Sequence, residues 1–145
     1  MSDNLTYQFV DTNVLVYAHD KSAGKKYEQA KTLIEELWNA GTGCLSVQVL
    51  QEFYVTITQR VTRPLEIESA VKIVKDLAFW KVYAPEAKDV LGAIDLQQRY
   101  MLSFWDAMIV WSAAQLGCQI VWSEDLNPGQ VYEGVQLLSP FNRHF

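Results

Sequence analysis

Three acidic residues sit inside apolar runs, where acids are uncommon: Asp11 in "FVDTNVLV", Glu52 in "VLQEFYV" and Asp106 in "SFWDAMIVW". An ionised carboxylate on a half-apolar element is costly unless it is paired, hydrogen-bonded or bound to a metal. No Lys, Arg or His lies within these stretches to neutralise it locally. A divalent cation would. Hard Mg2+ or Mn2+ takes oxygen ligands and is commonly held by a few carboxylates plus water. A fourth acidic position, Glu124 or Asp125, follows the apolar run "QIVW" almost directly.

Each acid also has an ordinary explanation. Asp11-Thr12-Asn13 suits an Asx-type turn or a helix cap. Ser103 and Asp106 are spaced like a capping box. Glu124 to Gly129 is rich in turn residues. Glu52 suits a helix flank, although its neighbours Leu50 and Phe53 should face the core. It is their joint occurrence that favours a shared site.

These acids need elements to carry them. Tyr7–Val10 reads as a buried strand, leading straight into Asp11. "SAGKKYEQAKTLIEELWNAG" reads as a helix: Tyr27, Ala30, Leu33, Ile34, Leu37 and Trp38 recur at helical steps, and Gly41 stops it. Cys44–Leu45 is a very short strand. Ser46 then caps a helix carrying Val47, Leu50, Phe53, Tyr54 and Ile57. Pro64 opens another, with Ile67, Ala70, Val71, Val74 and Leu77 on one face. Lys81–Tyr83 reads as a strand, and Val90, Leu91 and Ile94 mark the next helix. Ser103–Leu116 is a helix stopped by Gly117, and Gln119–Trp122 and Val135–Ser139 are strands. Strands alternating with helices predict an α/β fold with a parallel sheet covered on both faces. Ligands of such sheets sit off the carboxyl ends of the strands. Asp11 and the Glu124-Asp125 pair follow strands there, and Glu52 and Asp106 lie in early turns of helices.

Composition bounds the rest. A chain of 145 residues, half of them hydrophobic, suits one packed domain over residues 1–145. No repeat or linker divides it. No secretory signal and no membrane-length apolar run is visible, which predicts a soluble cytoplasmic protein. Cys44 and Cys118 form no CxxC pair and read as buried or half-buried thiols of a reducing compartment. His19 and His144 are isolated and poor catalytic candidates. No G-x-S-x-G, Walker A or G-x-G-x-x-G motif occurs. The net charge of −5 weighs against a generic nucleic-acid binder and suits a partner with a basic segment.

Four ordered pieces, "FVDTNVLVYAHD", "SVQVLQEFY", "LSFWDAMIVWSAAQLGC" and "IVWSEDLNPGQ", span nearly the whole chain. Together they resemble the PIN-domain nucleases, and within them the VapC-type toxins of bacterial toxin–antitoxin pairs. The resemblance implies a three-layer α/β/α fold around a mainly parallel sheet. It implies an acidic quartet of Asp11, Glu52, Asp106 and Asp125 holding Mg2+ or Mn2+, with Thr12, Asn13 and Ser123 in supporting or substrate-orienting positions. Glu124 competes with Asp125, and the Ser-x pattern of the family motif favours Asp125. Asp20 ends the first piece and takes no role from it. The implied activity is endoribonuclease cleavage of RNA, transfer RNA being one target type. The implied partners are a small antitoxin and a second copy of the chain.

A divalent ion would reverse the local field of the acids. Basic residues at the cleft rim would add attraction, with Lys21, Lys25, Lys26, Arg60 and Arg63 as candidates. Trp105 reads either as a core residue or as a platform for a base. The competing functional reading is a catalytically silent PIN-like module acting through protein contacts.

Overall fold

The computed structural model describes residues 5–141. Strands β1 (Gln8–Val10), β2 (Gly43–Ser46), β3 (Lys81–Tyr83), β4 (Ile120–Trp122), β5 (Val131–Tyr132) and β6 (Val135–Leu138) form one sheet, in the order β3-β2-β1-β4-β6-β5. Neighbours pair in parallel throughout, except that β5 runs antiparallel to β6. The central strands are short apolar runs without alternation. β2 is buried along its whole length, as are Phe9 and Val10 of β1 and Val121 and Trp122 of β4. That is the pattern of a sheet covered on both faces.

Six α-helices flank it: α1 (Thr12–Tyr17), α2 (Lys25–Ala40), α3 (Val47–Gln59), α4 (Ile67–Leu77), α5 (Ala87–Tyr100) and α6 (Phe104–Gln115). A short 3-10 turn covers Lys21–Ala23. In α2 the predicted stripe buries Ala30, Leu33, Ile34 and Leu37, and Gly41 ends the helix in the left-handed region at φ 70°. Ser46 caps α3 as expected, its Oγ accepting the Val49 N–H at 3.3 Å. Helix α6 buries Ala107 through Val110 on every side, as a helix in the middle of a fold must.

The chain winds from β1 outward to β2 and β3, then crosses back to place β4 on the other side of β1. With right-handed crossovers, α1–α4 cover one face of the sheet and α5–α6 the other. The change of direction leaves a crevice beyond the carboxyl ends of β1 and β4.

Several expectations shift. Val14, Leu15 and Val16 are buried in helix α1, which a short apolar run does not distinguish from a strand. Pro64 does not open α4. The Leu65 N–H instead bonds the Ile57 carbonyl at 2.9 Å, so the chain leaves α3 through a turn and α4 starts at Ile67 behind Glu66. Val90, Leu91 and Ile94 do mark α5, but on its exposed face, while Asp89, Ala93 and Leu96 point inward. β5 has no sequence signature beyond Glu133-Gly134, a turn with both φ values positive (51° and 79°) that suits a tight hairpin. Both cysteines are free and buried. Among the described residues no helix is long and apolar enough to cross a membrane.

The two helices α5 and α6 meet at Gly92, where an added Cβ would stand 2.3 Å from the Trp111 ring. The ring is pinned. Its Nε1–H donates to buried Asp89 at 2.9 Å, and Asp89 also accepts from the Tyr83 hydroxyl at 2.6 Å and the Glu86 N–H at 2.7 Å. Gly92→Ala should therefore lower stability by about 1–3 kcal/mol through overpacking, despite alanine's higher helix propensity. The urea unfolding midpoint checks this; a midpoint at or above the parent's would show that the ring is free to move.

Candidate active site

Asp11 is the first residue past β1 and the N-cap of α1. Its Oδ1 accepts the Thr12 N–H at 2.7 Å, and its Oδ2 accepts the hydroxyl of Ser123 at 3.0 Å. Ser123 is buried and is the first residue past β4. The Asp11 N–H bonds the Trp122 carbonyl at 3.0 Å, so backbone and side chain both tie the two strand ends together. The next two residues each hold a further acid. Thr12 Oγ1 donates to Glu52 Oε1 at 2.7 Å, and Asn13 Nδ2 donates to Asp125 Oδ2 at 2.7 Å. Three consecutive residues thus fix carboxylates from three separate segments.

Asp11, Glu52, Asp106 and Asp125 all line one cleft of about 510 Å³. Gln48, Glu52, Thr56 and Arg60 form one wall, spaced four residues apart along α3 and its C-cap. Trp105, Asp106 and Ile109 of α6 form another. Gln48, Gln51 and Thr56 escaped the sequence reading, although the four-residue spacing of Gln48 and Thr56 from Glu52 would have found those two. Half of the capping box at α6 exists: Ser103 Oγ accepts the Asp106 N–H at 3.2 Å. The reciprocal bond is not made among the described residues, and Asp106 borders the cleft instead.

Glu124 is engaged elsewhere. It accepts the Tyr17 hydroxyl at 2.9 Å and pairs with Lys26, whose ammonium also stands over the Tyr17 and Phe141 rings. Of the expected rim cations only Arg60 lines the cleft. Lys26 is consumed by Glu124, Lys21 borders a different groove, and Lys25 and Arg63 are exposed outside the lining. Trp105 is not a core residue: it is 62% exposed and borders the acids. Asp20 caps the 3-10 turn, accepting the Ser22 N–H at 3.1 Å. His19 lies outside the cleft lining, its Nδ1 3.0 Å from the Leu15 carbonyl and its ring edge-on to Phe53. His144 lies outside the described residues.

Burial pushes the Asp11 carboxyl up to about 6, against the pull of the Thr12 N–H and the Ser123 hydroxyl, and the charges of Asp106 and Glu52 push the same way. All the charged donors are oxygens, the set a hard divalent cation takes. Among the described residues, however, no three His, Cys, Asp or Glu side chains gather closely enough to form a metal-holding group. The four acids share a cleft without closing into a cage, and Asp11, Glu52 and Asp125 are each turned to a protein donor.

A mainly parallel α/β sheet with acids converging at the crevice between its two central strands defines a class of fold and site. Within it, the PIN domain description matches residues 9–133, and the chain belongs to the PIN domain family. The solved structures it resembles include VapC20 of Mycobacterium tuberculosis, a sarcin-ricin loop cleaving toxin (TM-score 0.61, 19% identity, 81% of this chain and 89% of that one). They include a toxin–antitoxin complex from Klebsiella pneumoniae (TM-score 0.66, 18% identity, 92% and 97%). They also include VapBC2 of Rickettsia felis bound to a DNA fragment from its promoter (TM-score 0.65, 17% identity, 92% and 98%). At these identities the likeness is one of fold. No curated protein matches the chain at a significant level of sequence similarity.

The folded chain holds the Asp11 proton more tightly than the unfolded chain, so ionising Asp11 weakens the fold. The penalty is absent below the ordinary carboxylate value of 3.8 and complete above about pH 6. In chelator at pH 7.5, Asp11→Asn should therefore be more stable than the parent, by at most about 3 kcal/mol. The gain should shrink as pH falls through that window. Paired melting curves across the range check this, and a difference independent of pH would exonerate Asp11 as the titrating group.

Proposed function

We propose that the chain is a divalent-metal-dependent endoribonuclease, acting in the cytoplasm as the toxin of a toxin–antitoxin pair. The PIN family and the VapC neighbours support a nuclease. The observation that carries the reading is the convergence of Asp11, Glu52, Asp106 and Asp125 on one cleft at the strand crossover. That donor set suits Mg2+ or Mn2+, with Asp11 and Asp106 as direct ligands and Glu52 and Asp125 completing the set directly or through water. When bound, such an ion lowers the pKa of a coordinated water and offsets charge on phosphoryl oxygens.

The chain's own residues do the positioning. Ser123 and the Thr12 N–H hold Asp11, the Thr12 hydroxyl aims Glu52, and Asn13 aims Asp125. Outer partners of this kind orient ligands and are worth about 10–100-fold in affinity or activity. Arg60 supplies positive charge toward a phosphate. The VapC20 neighbour cleaves the sarcin-ricin loop, which favours RNA as the substrate.

Two surfaces suit the partners. The groove lined by Leu50, Tyr54, Val71 and Val74 between α3 and α4 suits a segment of an antitoxin, and the neighbours from Klebsiella and Rickettsia are toxin–antitoxin assemblies. The exposed Val90, Leu91 and Ile94 of α5 suit a second copy of the chain.

RNA cleavage in Mg2+ or Mn2+, with and without chelator, tests the reading. Asp11→Asn and Asp106→Asn should each lose more than about 100-fold, exceeding the cost of losing an outer partner, and Thr12→Val should lose about 10-fold. Cleavage that persists in excess chelator defeats the metal-dependent mechanism. No cleavage, together with no heat on titrating Mn2+, leaves the silent binding module as the reading.

A further inference from the structure

We propose that Trp105 and Arg60 form a two-point clamp on the substrate strand, Trp105 stacking a base beside the scissile phosphate and Arg60 pairing with a flanking phosphate. The proposal rests on the ribonuclease reading above and adds the residues that choose where the strand lies.

Trp105 is set apart from the chain's other tryptophans. Trp38 and Trp80 meet edge to face, Trp111 donates to Asp89, and Trp122 donates to Gln8. Trp105 has no hydrogen-bond partner among the described residues and is 62% exposed at the lip of the acid cleft, one residue before Asp106. Its ring is braced rather than loose. Phe104, itself packed on the core, meets it edge to face at 5.0 Å and 76°. Such a ring is a preorganised platform, and every nucleobase has a face to lay on it.

Arg60 stands on the facing wall, eight residues beyond Glu52, which is about 12 Å along the helix. Its side chain makes no hydrogen bond or ion pair among the described residues, and it is the only Lys or Arg in the cleft lining. A guanidinium with all its donors free matches phosphate geometry. The other neighbours of Trp105 in the cleft decide the class of ligand. They are chiefly carboxylates, glutamine amides and the Thr56 hydroxyl, with only Val55 and Ile109 apolar. A protein anchor tryptophan sits in an apolar, water-excluding surround. A flat base joined to a phosphate fits this mixed lining better. A base on Trp105 has to be out of any helix, so the clamp selects a locally unpaired nucleotide.

The test is cleavage and binding of a short fluorescein-labelled single-stranded RNA, with a matched strand lacking one base beside the cleavage position. Trp105→Ala should lower kcat/KM about 5- to 150-fold, the span of one stacked base, mostly through KM. Trp105→Phe should keep most of the activity. On the strand lacking the base, Trp105→Ala and the parent should be nearly equal. Arg60→Gln should weaken binding and lower the log–log salt slope by about 1. A parent that cuts RNA while Trp105→Ala is unchanged, or loses the same factor on both strands, overturns the clamp alone. A parent inert toward RNA that still binds the labelled strand through Trp105 supports the clamp and overturns the catalytic reading. A parent that neither cuts nor binds the strand overturns both.

Discussion

The arrangement of the structure around the cleft depends on one residue, Asp11, bridging two strand ends. The winding of the sheet leaves the ends of β1 and β4 side by side, and Asp11 closes the gap, with its N–H on Trp122 and its Oδ2 on Ser123. The same side chain starts α1 by accepting the Thr12 N–H. Helix α1 has only six residues, too few to persist by itself, so it relies on this cap and on burying Val14, Leu15 and Val16. Because α1 begins at that point, Thr12 and Asn13 project where they meet Glu52 and Asp125. A structural cap and a functional ligand were rival explanations of Asp11 in the sequence. In the fold the two are compatible, since the cap geometry is what brings Thr12 and Asn13 to the other acids.

Two carboxylates, Asp89 buried and Asp11 half-buried, show how surroundings change the state of an acid. Asp89 receives three donors, from Glu86, Tyr83 and Trp111. Burial alone would raise its pKa, but those bonds carry it below the ordinary value. Asp11 receives two donors and faces Asp106 and Glu52, and its pKa rises to about 6. The first is a satisfied joint between β3, α5 and α6. The second is a charge kept under tension, a condition that clusters at functional sites. Desolvation raises both pKa values, and it is the sign of their neighbours that sends them in opposite directions.

Much of this was legible in residue order, and the misses have physical causes. The buried strands, the stripe of α2 and the Ser46 and Ser103 caps follow local rules, and local rules survive folding. The acids of the cleft showed themselves because a carboxylate among apolar neighbours needs a reason. α1 was hidden because a buried run of three apolar residues has no periodicity to read. The outward face of α5 was hidden because apolar spacing reveals a helix but not which side meets the core. The family motif favoured Asp125 over Glu124, but what engages Glu124 elsewhere, its pairing with Lys26 across 98 positions, is a contact that no motif states. Trp105 was hidden for a related reason: tryptophan is usually core, and only the placement of α6 makes this one a lip.

For an acidic chain to handle RNA, as proposed above, the attraction has to come from outside its net charge. The net charge is −5, Lys26 is spent on Glu124, and Arg60 alone adds positive charge to the cleft lining. Counterion release scales with the number of phosphates neutralised, so a lining with a single guanidinium gains little from it. Stacking does not draw on that source, and neither does a charge-reversing ion among the carboxylates. On the proposed function, strand binding would therefore be tied to the same acids proposed to hold the ion. On that reading the cleft would repel RNA while the acids stand uncompensated and accept it once they are neutralised. Coupling of that kind would keep substrate off an unprepared site, which a broad basic surface would not do.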